Sequence, residues 1–375
     1  MPLSMVDPAR YQDLLARKCE RVAALLDRFS PPDPAIYPSE PTSFRMRAEF
    51  RIWHEGDDLN YVMFRRDDPK TPVPIDHFPI ACADIQQLMP LLMAALQAND
   101  LLRRKLFQVE FLATLAGDAL VTLVYHRKLE ADWEQAAAQL ATDLQVSIVG
   151  RSRRQKVVIG RDFVREALPL QDSQFSYIQY EQAFTQPNAR VNMQMINWAC
   201  ARAATLSGDL LELYCGNGNF TLPLAQHFDH IIATELAKIS VRAARENMLA
   251  NDIANIQIIR LSAEEVTEAM AARRVFRRLA ELPKPLADYD LRTLFVDPPR
   301  AGLDQHTVRM AGNFPAIIYV SCNPHTLADN LEILCQTHRI EHFAMFDQFP
   351  YTDHMECGVF LVRHSSHSAA DAEGQ

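Results

Sequence analysis

The sequence has no C-x-x-C pair and no tight cluster of cysteines. Its seven cysteines are scattered over 375 residues: Cys19, Cys82, Cys200, Cys215, Cys322, Cys335 and Cys357. This scatter argues against a zinc site, an iron–sulfur cluster and a disulfide framework. The sequence also lacks an apolar run near the ~20 residues that a membrane span needs, and its first residues lack the basic-then-apolar signal pattern. We therefore expect a cytoplasmic protein with no metal and no membrane partner.

Positive charge is also scarce, because the formal net charge is −9. Taken alone, this charge counts against a nucleic-acid partner, since phosphate contacts need Lys and Arg. The charge is uneven along the chain. Residues 1–180 hold 22 basic and 24 acidic side chains, a net of −2, and the rest holds 16 and 23, a net of −7. Within the first part, residues 151–161 (RSRRQKVVIGR) contain five basic residues and no acid. A local patch of this kind lets an acidic protein bind RNA.

The first half alternates helical periods with short hairpins. Apolar residues at helical spacing predict helices over 6–29, 84–97 and 133–144. Alternating runs broken by glycine-containing turns predict hairpins over 44–64 and 109–125. This order of elements predicts an α+β domain with an antiparallel sheet.

From about residue 190, buried strands alternate with helices, which is typical of a doubly wound parallel α/β sheet. The predicted strands are 209–214, 230–234, 256–259, 292–296 and 316–320, followed by 339–347 and 357–362. Residues 171–180 (QDSQFSYIQY) show no clear period and are predicted to link two domains, 1–180 and 181–375. The tail after residue 364 is low in complexity and is predicted to be disordered.

A glycine turn follows the first strand of the second half, in LELYCGNGNF. Gly216 and Gly218 permit a tight turn and let a ligand lie against the backbone. Glu235 ends the next strand, where a carboxylate can accept hydrogen bonds from both ribose hydroxyls of a nucleoside. Thr221 stands where a dinucleotide-binding motif has its third glycine. The pattern therefore favours an adenosine cofactor without a pyrophosphate and disfavours a nicotinamide dehydrogenase.

Cys322 ends another predicted strand, in YVSCNPHT. Asn323 and Pro324 resemble an N-cap and a first helical residue, and the positive end of that helix is expected to lower the pKa of the thiol. Asp297 and Arg300, in VDPPRAGLD, follow the preceding strand and are placed to meet a substrate. Alone, Cys322 reads as structural, but the motifs around it favour a nucleophile.

A thiolate at this place suits methylation of uracil at carbon 5. Thiolate addition to carbon 6 makes carbon 5 nucleophilic toward a sulfonium methyl group, and Arg300 would stabilise the charge that develops on the uracil oxygen. A base must then remove the proton from carbon 5. Asp353, His354 and Glu356, in TDHMECG, are candidates that spacing alone does not separate.

Four segments in this order, ELYCGNGNF, DPPRAGLD, YVSCNP and HMECG, resemble the RNA uracil-5 methyltransferases over residues 184–362. FRMRAEFRIWH at 44–54 resembles the tRNA-modifying branch. The resemblance implies a C-terminal Rossmann-like class I methyltransferase domain, doubly wound α/β, behind an N-terminal α+β RNA-binding domain. It implies S-adenosylmethionine as cofactor, no iron–sulfur cluster, and a T-loop uridine of tRNA as substrate, with tRNA-like tmRNA as a side substrate. We expect a monomer.

Carried over position by position, the resemblance implies that Cys322 is the nucleophile and that Glu356 is the proton acceptor. It also implies a set of cofactor-contacting positions: Gln186, Tyr214, Asn219, Glu235 and Asp297. The residues alone already placed Glu235 and Asp297 at the cofactor, and Gly216 in the turn. Gln186 was found only through the resemblance.

Other functions predict different residues. A cytosine-5 enzyme would carry its nucleophile in the fourth-strand motif, where this chain has Pro299 and Arg300. An enzyme that methylates an amino nitrogen would have an aromatic residue after the prolines and no nucleophile. A non-catalytic RNA-folding protein would not need Cys322 and Glu356 together with the cofactor turn, although a folding role beside catalysis is compatible with them.

The RNA contacts are the least specific prediction. Arg45, Arg47 and Arg51 share one face of a predicted strand, if its period of two holds. Phe107 and His126 are candidates for stacking on the bases of an RNA loop. For each of these five residues, an ordinary role on the surface or in the core fits the sequence as well as an RNA contact does. A uracil in a folded loop must be turned outward to reach Cys322.

Overall fold

The computed structural model describes residues 6–56, 58–65, 67–170 and 173–364. The predicted disordered tail after residue 364 lies outside these ranges, as does Asp57 at the tip of the first predicted hairpin. The described chain forms a seven-stranded sheet, a two-stranded sheet and an eight-stranded sheet. Among the described residues, no helix combines the length and the apolar composition that a membrane span requires.

The first 160 residues contain most of the predicted elements. The helices are α1 (Tyr11–Leu26), α2 (Ala83–Gln97), α3 (Asp100–Arg103) and α4 (Ala131–Leu144). The strands are β1 (Ala35–Tyr37), β2 (Arg47–Glu55), β3 (Asp58–Phe64), β4 (Pro72–Pro74), β5 (Leu106–Ala113), β6 (Ala119–Tyr125), β7 (Ser147–Ser152) and β8 (Gln155–Ile159).

The seven-stranded sheet has the order β4-β3-β2-β5-β6-β7-β8. All its pairs are antiparallel except β6 with β7, which are parallel. The prediction of an antiparallel sheet is therefore wrong at this pair, because α4 crosses over between the two strands and returns the chain to the same end. Helices α2 and α4 pack on one face. The other face carries Arg51 and the exposed ring of Trp53.

Residues 163–170 and 173–180 pair as a hairpin, so most of the segment predicted as a link is a strand. Strand β9 (Phe163–Leu170) pairs antiparallel with β10 (Ser173–Tyr180) along its full length. The prediction of an irregular link is therefore wrong for 173–180, where Phe175 and Tyr177 are buried. The amide groups of Asn247 and Asn251 accept hydrogen bonds from the outer backbone of β10 and hold the hairpin on the second half of the chain.

The rest of the described chain alternates helices and strands. These are α5 (Ala189–Ala203), β11 (Asp209–Leu213), α6 (Thr221–Leu224), β12 (Ile231–Thr234), α7 (Lys238–Ala250), β13 (Ile256–Ile259), α8 (Ala263–Met270), β14 (Leu291–Val296), α9 (Gln305–Ala311), β15 (Ala316–Ser321), α10 (Pro324–Leu334), β16 (His338–Phe346) and β17 (Glu356–Arg363).

The eight-stranded sheet has the order β1-β16-β17-β15-β14-β11-β12-β13. Strands β11 to β15 are parallel, and β17 lies antiparallel between β15 and β16. Strand β1 pairs with β16 and α1 packs on α10, so residues 11–37 lie against the second half of the chain. The domain boundary near residue 180 stays a prediction. The strand order reverses beside β11, and ligands of open α/β sheets bind at such a point, beyond the carboxyl ends of the strands.

Candidate active site

A cavity of about 740 Å³ opens at the carboxyl ends of β11, β12, β14 and β15. All nine residues that the sequence placed in a site line this cavity: Gln186, Tyr214, Gly216, Asn219, Glu235, Asp297, Arg300, Cys322 and Glu356. They come from six separate segments of the chain, and the topology brings the segments together. The cavity size is in the range of small-molecule and cofactor sites.

The glycine turn after β11 has a left-handed backbone at three residues, with φ of 62° at Tyr214, 57° at Gly216 and 87° at Gly218. A Cβ atom at Gly218 would lie 2.3 Å from Cδ1 of Leu222, so α6 can pack this closely only against glycine. A Cβ atom at Gly216 would meet no atom within 4 Å. The Gly216 backbone therefore faces open space in the cavity, where a ligand can approach it.

Glu235 lies at the end of β12 and is tied to the glycine turn. Its Oε2 accepts a hydrogen bond from the Gly216 backbone N–H at 3.1 Å. Its Oε1 accepts from the N–H groups of Leu236 and Ala237 at 2.6 and 2.7 Å. These three donors fix the carboxylate at the cavity wall, where the remaining lone pairs can accept from the hydroxyls of a ribose.

Two amide side chains on opposite sides of the cavity are held by partners that the sequence did not indicate. Asn219 and Asn192 form a reciprocal pair with hydrogen bonds of 2.8 and 2.9 Å. Gln348 donates to Gln186 at 3.3 Å and accepts from the Asn188 backbone N–H at 2.9 Å. Asn192 and Gln348 escaped prediction because they stand outside the motifs and meet their partners only in the fold.

Cys322 directly follows β15, and Asn323 caps α10 with Pro324 as its first residue, as predicted. The prediction that the thiol has a lowered pKa is wrong. Burial and the negative charges of Glu356 and Asp297 raise the pKa of Cys322 to about 12, and Arg300 lowers it only in part. The thiol is therefore protonated at neutral pH in the ligand-free protein, because desolvation and like charge outweigh the helix end.

Glu356 is buried, and its Oε2 has no hydrogen-bond partner. Burial and the neighbouring charge of Asp297 raise its pKa well above the ordinary value, while Arg300 opposes the shift. Burial also raises the pKa of Asp297. Two carboxyl groups that share one buried site do not both ionise easily. The site thus holds two weak acids beside one weakly acidic thiol.

Arg300 lies at the mouth of this cluster. Its carbonyl accepts hydrogen bonds from Asn323 at 3.0 Å and Thr326 at 3.3 Å, which ties the loop after β14 to the start of α10. Its guanidinium lies 3.1 Å from Nε2 of His354 and is exposed. A fixed cation here can stabilise negative charge on a substrate oxygen.

The structure separates the three candidate bases by position. The Asp353 side chain is 93% exposed and pairs with Arg21 at 3.0 Å, and His354 contacts Arg300. Only Glu356 of the three lines the cavity, and its free Oε2 gives it an open lone pair there. The geometry therefore favours Glu356, which is also the residue that the resemblance implied.

The predicted RNA-binding arginines divide into two kinds. Arg47 donates to the carbonyl oxygens of Glu181 and Ala183, and Arg45 donates to the carbonyl of Arg47. Both side chains therefore stabilise the fold, and the prediction that they form a free surface for RNA is wrong. The guanidinium of Arg51 lies 3.9 Å from the centre of the Phe107 ring. Phe107 also stacks on His126 at 4.0 Å between ring centres. Base stacking on this cluster stays a prediction.

Glu166, Phe349 and Phe184 also line the cavity, although no motif marked them. Glu166 is buried on β9 and accepts a hydrogen bond from the Leu115 backbone N–H at 3.0 Å. Among the described residues, no three His, Cys, Asp or Glu side chains are grouped so as to hold a metal ion.

Comparison with known proteins gives a consistent match. The family model described as tRNA (Uracil-5-)-methyltransferase matches residues 10–364. A tRNA/tmRNA (uracil-C(5))-methyltransferase of Acinetobacter baumannii (strain SDF) is 54% identical over 356 residues, 94% of this chain and 99% of its own. The protein of the same name from Aromatoleum aromaticum is 49% identical over 363 residues, 97% of this chain and 98% of its own.

A solved structure extends the match to the fold. The Pyrococcus abyssi tRNA (uracil-54, C5)-methyltransferase in complex with S-adenosyl-L-homocysteine superposes with a TM-score of 0.73 at 21% identity. The match covers 94% of this chain and 83% of that one. The predicted architecture, a Rossmann-like methyltransferase domain with an added α+β part, is thereby confirmed.

Proposed function

The chain belongs to the tRNA (uracil-5-)-methyltransferase family, and from this premise we propose that it methylates carbon 5 of a T-loop uridine in tRNA through a covalent adduct with Cys322. S-adenosylmethionine is the cofactor. The names of the relatives also include tmRNA, so tRNA-like tmRNA is a second proposed substrate. One observation carries the mechanism: Cys322, Glu356, Asp297 and Arg300 line one cavity beside a glycine turn.

The residues around the turn fit an adenosine cofactor. Glu235 would hold the ribose hydroxyls, the open Gly216 backbone would lie under the ligand, and Asn219 and Gln186 would bind its polar groups. When bound, the cofactor supplies the methyl group on a positively charged sulfur. The two carboxyl groups of Asp297 and Glu356 in the same cavity suit this charge.

The chemistry on uracil starts at Cys322. The partly exposed thiol releases its proton to solvent, and the thiolate adds to carbon 6, which forms an S–C6 bond and moves the electrons of the C5–C6 double bond into an enolate. Arg300 stabilises the negative charge on the enolate oxygen. Carbon 5 then takes the methyl group, forming a C–C bond as the sulfonium–methyl bond breaks. Glu356 accepts the proton from carbon 5, and the S–C6 bond breaks to release the thiolate.

The raised pKa values fit this order of events. A positive charge in the cofactor part of the cavity favours the Cys322 thiolate and holds the pKa of Glu356 down. Without a positive charge nearby, burial and Asp297 raise the pKa of Glu356, which suits a group that has to accept a proton.

The decisive experiment uses tRNA that contains 5-fluorouridine, together with S-adenosylmethionine. Because fluorine cannot leave as a proton, the Cys322 adduct persists, and we expect a denaturation-resistant protein–RNA band that Cys322→Ala abolishes. Cys335→Ala is the matched control, since Cys335 is also partly exposed but lies at the end of α10. A folded wild-type protein that gives no band on any tRNA would refute the covalent mechanism.

A second variant tests the base. Glu356→Gln should form the adduct on unmodified tRNA and release it slowly, because no group takes the proton from carbon 5. The adduct is counted on a denaturing gel after a single turnover. Normal turnover by this variant would transfer the role to His354 or Asp353, and each can be substituted in the same assay.

A further inference from the structure

Three sequence-distant basic segments meet at one end of the seven-stranded sheet. They are residues 103–105 before β5, residues 127–128 after β6, and residues 153–154 between β7 and β8. The pairing of β5 with β6 and of β6 with β7 brings these three chain ends to the same edge. Five of their side chains are exposed and form what we call the basic corner: Arg104, Lys105, Lys128, Arg153 and Arg154.

Hydrogen bonds hold the segments of the basic corner together. Arg127 donates to the carbonyl oxygens of Arg104 at 3.0 Å and Lys128 at 3.1 Å. Ser152 donates to the carbonyl of Arg127, and the Gln155 amide accepts from and donates to the backbone of Leu129 at 2.9 and 2.6 Å. These hydrogen bonds fix the backbone of the basic corner, and they do not use the side chains of the five exposed cations.

The basic corner is an island of positive charge on an acidic protein. Residues 100–105, 126–130 and 152–155 contain seven basic and two acidic side chains, whereas the whole chain carries −9. Within the described ranges, none of the five corner side chains pairs with a carboxylate. The two acids within these segments are Asp100, which pairs with Arg103, and Glu130, and the β2–β3 hairpin beyond β5 adds Glu55 and Asp58.

Two of the five cations occupy backbone positions that a long side chain rarely adopts. Lys105 has a φ of 56° and Arg154 a φ of 58°. A residue other than glycine pays conformational energy there.

The basic corner and the cavity lie at opposite ends of strand β2. At one end of β2, Arg47 contacts Ala183, which lines the cavity. Seven residues further along β2, about 23 Å at 3.3 Å per residue, His54 contacts Leu106 beside the corner. Arg51, stacked on Phe107, lies between the two ends. An RNA that runs the length of this strand can therefore reach both.

We propose that the basic corner binds the phosphate backbone of the same tRNA whose target uridine enters the cavity. This inference rests on the proposed function and adds the surface that positions the RNA. Flexible cations without carboxylate partners suit phosphate contacts, which fix register and supply affinity without reading bases. The corner thus explains how a chain of net charge −9 holds RNA.

The test is a charge reversal at two corner residues, Arg153→Glu with Arg154→Glu, made in the full chain. We expect the Kd for unmodified tRNA to rise about tenfold or more at low salt, and the slope of log K against log salt to fall by about two. The kcat at saturating tRNA and the adduct with 5-fluorouridine tRNA should stay at the wild-type level, because the cavity lies at the other end of the sheet.

The matched control is Arg273→Glu with Arg277→Glu, two exposed arginines between α8 and β14 that impose the same change in net charge. An equal loss in both pairs, or an unchanged salt slope in the corner pair, would overturn the proposal. Lys105→Glu with Lys128→Glu repeats the test at the other two segments. If wild-type protein failed to methylate tRNA, the proposed function would fail instead, and the binding data would still stand alone.

Discussion

Cys322 is the residue on which the proposed chemistry depends, yet its surroundings favour the protonated thiol over the reactive thiolate. Burial comes first among the causes, and the charges of Glu356 and Asp297 add to it. A nucleophile so placed stays inert until a positive charge enters the cavity. This arrangement protects a partly exposed thiol from unwanted reactions while no ligand is bound.

The charge of the cofactor should therefore set the reactivity of Cys322. We expect iodoacetamide to label Cys322 faster at pH 8 with bound S-adenosylmethionine than with bound S-adenosylhomocysteine. Both ligands fill the same space, but only the first carries the sulfonium charge, which lowers the pKa of the thiol. Labelling rates per cysteine are read by mass spectrometry after digestion.

Cys335 provides the internal control for this measurement. It is also partly exposed, and burial raises its pKa to about 11. Since it lies at the end of α10 and not in the cavity, its labelling rate should be the same with either ligand. Equal rates at Cys322 with the two ligands would contradict the charge argument.

Glu212 on β11 leads to a second prediction at this scale, on how the free energy of unfolding depends on pH. Burial raises the pKa of this carboxyl to about 8, and its Oε2 has no hydrogen-bond partner. The folded state binds the Glu212 proton more tightly than the unfolded state does. The contribution of this proton to the free energy of unfolding is therefore complete below pH 4.5 and is lost as the pH rises to about 8. The loss for this group is on the order of 4 kcal/mol.

Glu212→Gln removes the titration and keeps the shape. The free energy of unfolding of the wild type, measured by urea at pH 5 and pH 8, should fall more steeply over this interval than that of Glu212→Gln. Other buried carboxyls titrate equally in both proteins, so the difference isolates Glu212. Parallel pH profiles would show that Glu212 ionises freely in the folded protein.

At the scale of elements, helix α1 anchors the segment that leads to the base. Lys18 forms a buried ion pair with Asp347 and donates to the carbonyl of Phe349 at 3.2 Å. Arg21 donates to the backbone of Asp353 at 2.7 Å. Residues 347–355 connect β16 to Glu356, and Phe349 within them lines the cavity. The N-terminal helix thus supports the catalytic end of the molecule.

Breaking this anchor should cost both stability and turnover. Lys18→Met leaves Asp347 buried without its partner, a loss of about 3 kcal/mol or more in the free energy of unfolding. It should also slow release of the Cys322 adduct, because the segment before Glu356 loses its support. Urea unfolding and single-turnover gels measure the two effects.

Arg21→Ala is the comparison for this variant. The Arg21–Asp353 pair is mostly exposed, with side-chain exposures of 52% and 93%, so water already screens it. We expect a small change in stability and nearly normal adduct release. If Lys18→Met released the adduct at the wild-type rate while being less stable, the anchor would serve the fold alone.

The elements that sequence patterns predicted are those with a strong local signal. Strands β11, β12 and β15 are short buried runs, α1 has a clear helical period with Pro31 and Pro32 behind it, and α2 has a helical period. The three-residue strands β1 and β4 were missed because their pairing depends on distant partners. Strand β10 was missed although Phe175 and Tyr177 alternate, since its tyrosines and glutamines read as polar.

The site residues divide in the same way into those that the sequence predicts and those that it does not. Residues inside motifs, such as Glu235 and Cys322, could be placed from the sequence because strand ends of a doubly wound sheet converge. Asn192 and Gln348 could not, since they act through partners far along the chain. The direction in which the pKa of the Cys322 thiol shifts could not be predicted from the sequence either. It depends on how deeply the thiol is buried and on how near Glu356, Asp297 and Arg300 lie to it.

At the scale of the whole molecule, one short segment joins the two halves. Residues 182–186 line the cavity, while Arg47 of β2 binds the carbonyl oxygens of Glu181 and Ala183. Arg151 of β7 pairs with the buried carboxylate of Glu181. The seven-stranded sheet is therefore tied to the cavity wall by hydrogen bonds and an ion pair.

This junction predicts that tRNA and cofactor bind cooperatively. We expect S-adenosylhomocysteine to bind about tenfold more tightly in the presence of tRNA, and tRNA to gain the same factor from the ligand, since coupling is reciprocal. Arg47→Ala should reduce this factor toward one, because it detaches the sheet from the cavity wall. Arg51→Ala, on the same strand and face, should weaken tRNA binding and leave the factor unchanged, since its guanidinium contacts Phe107 and not residues 181–186. Titration calorimetry of S-adenosylhomocysteine with and without tRNA gives two Kd values for each of the three proteins. A factor of the same size in Arg47→Ala and the wild type would place the coupling elsewhere in the fold.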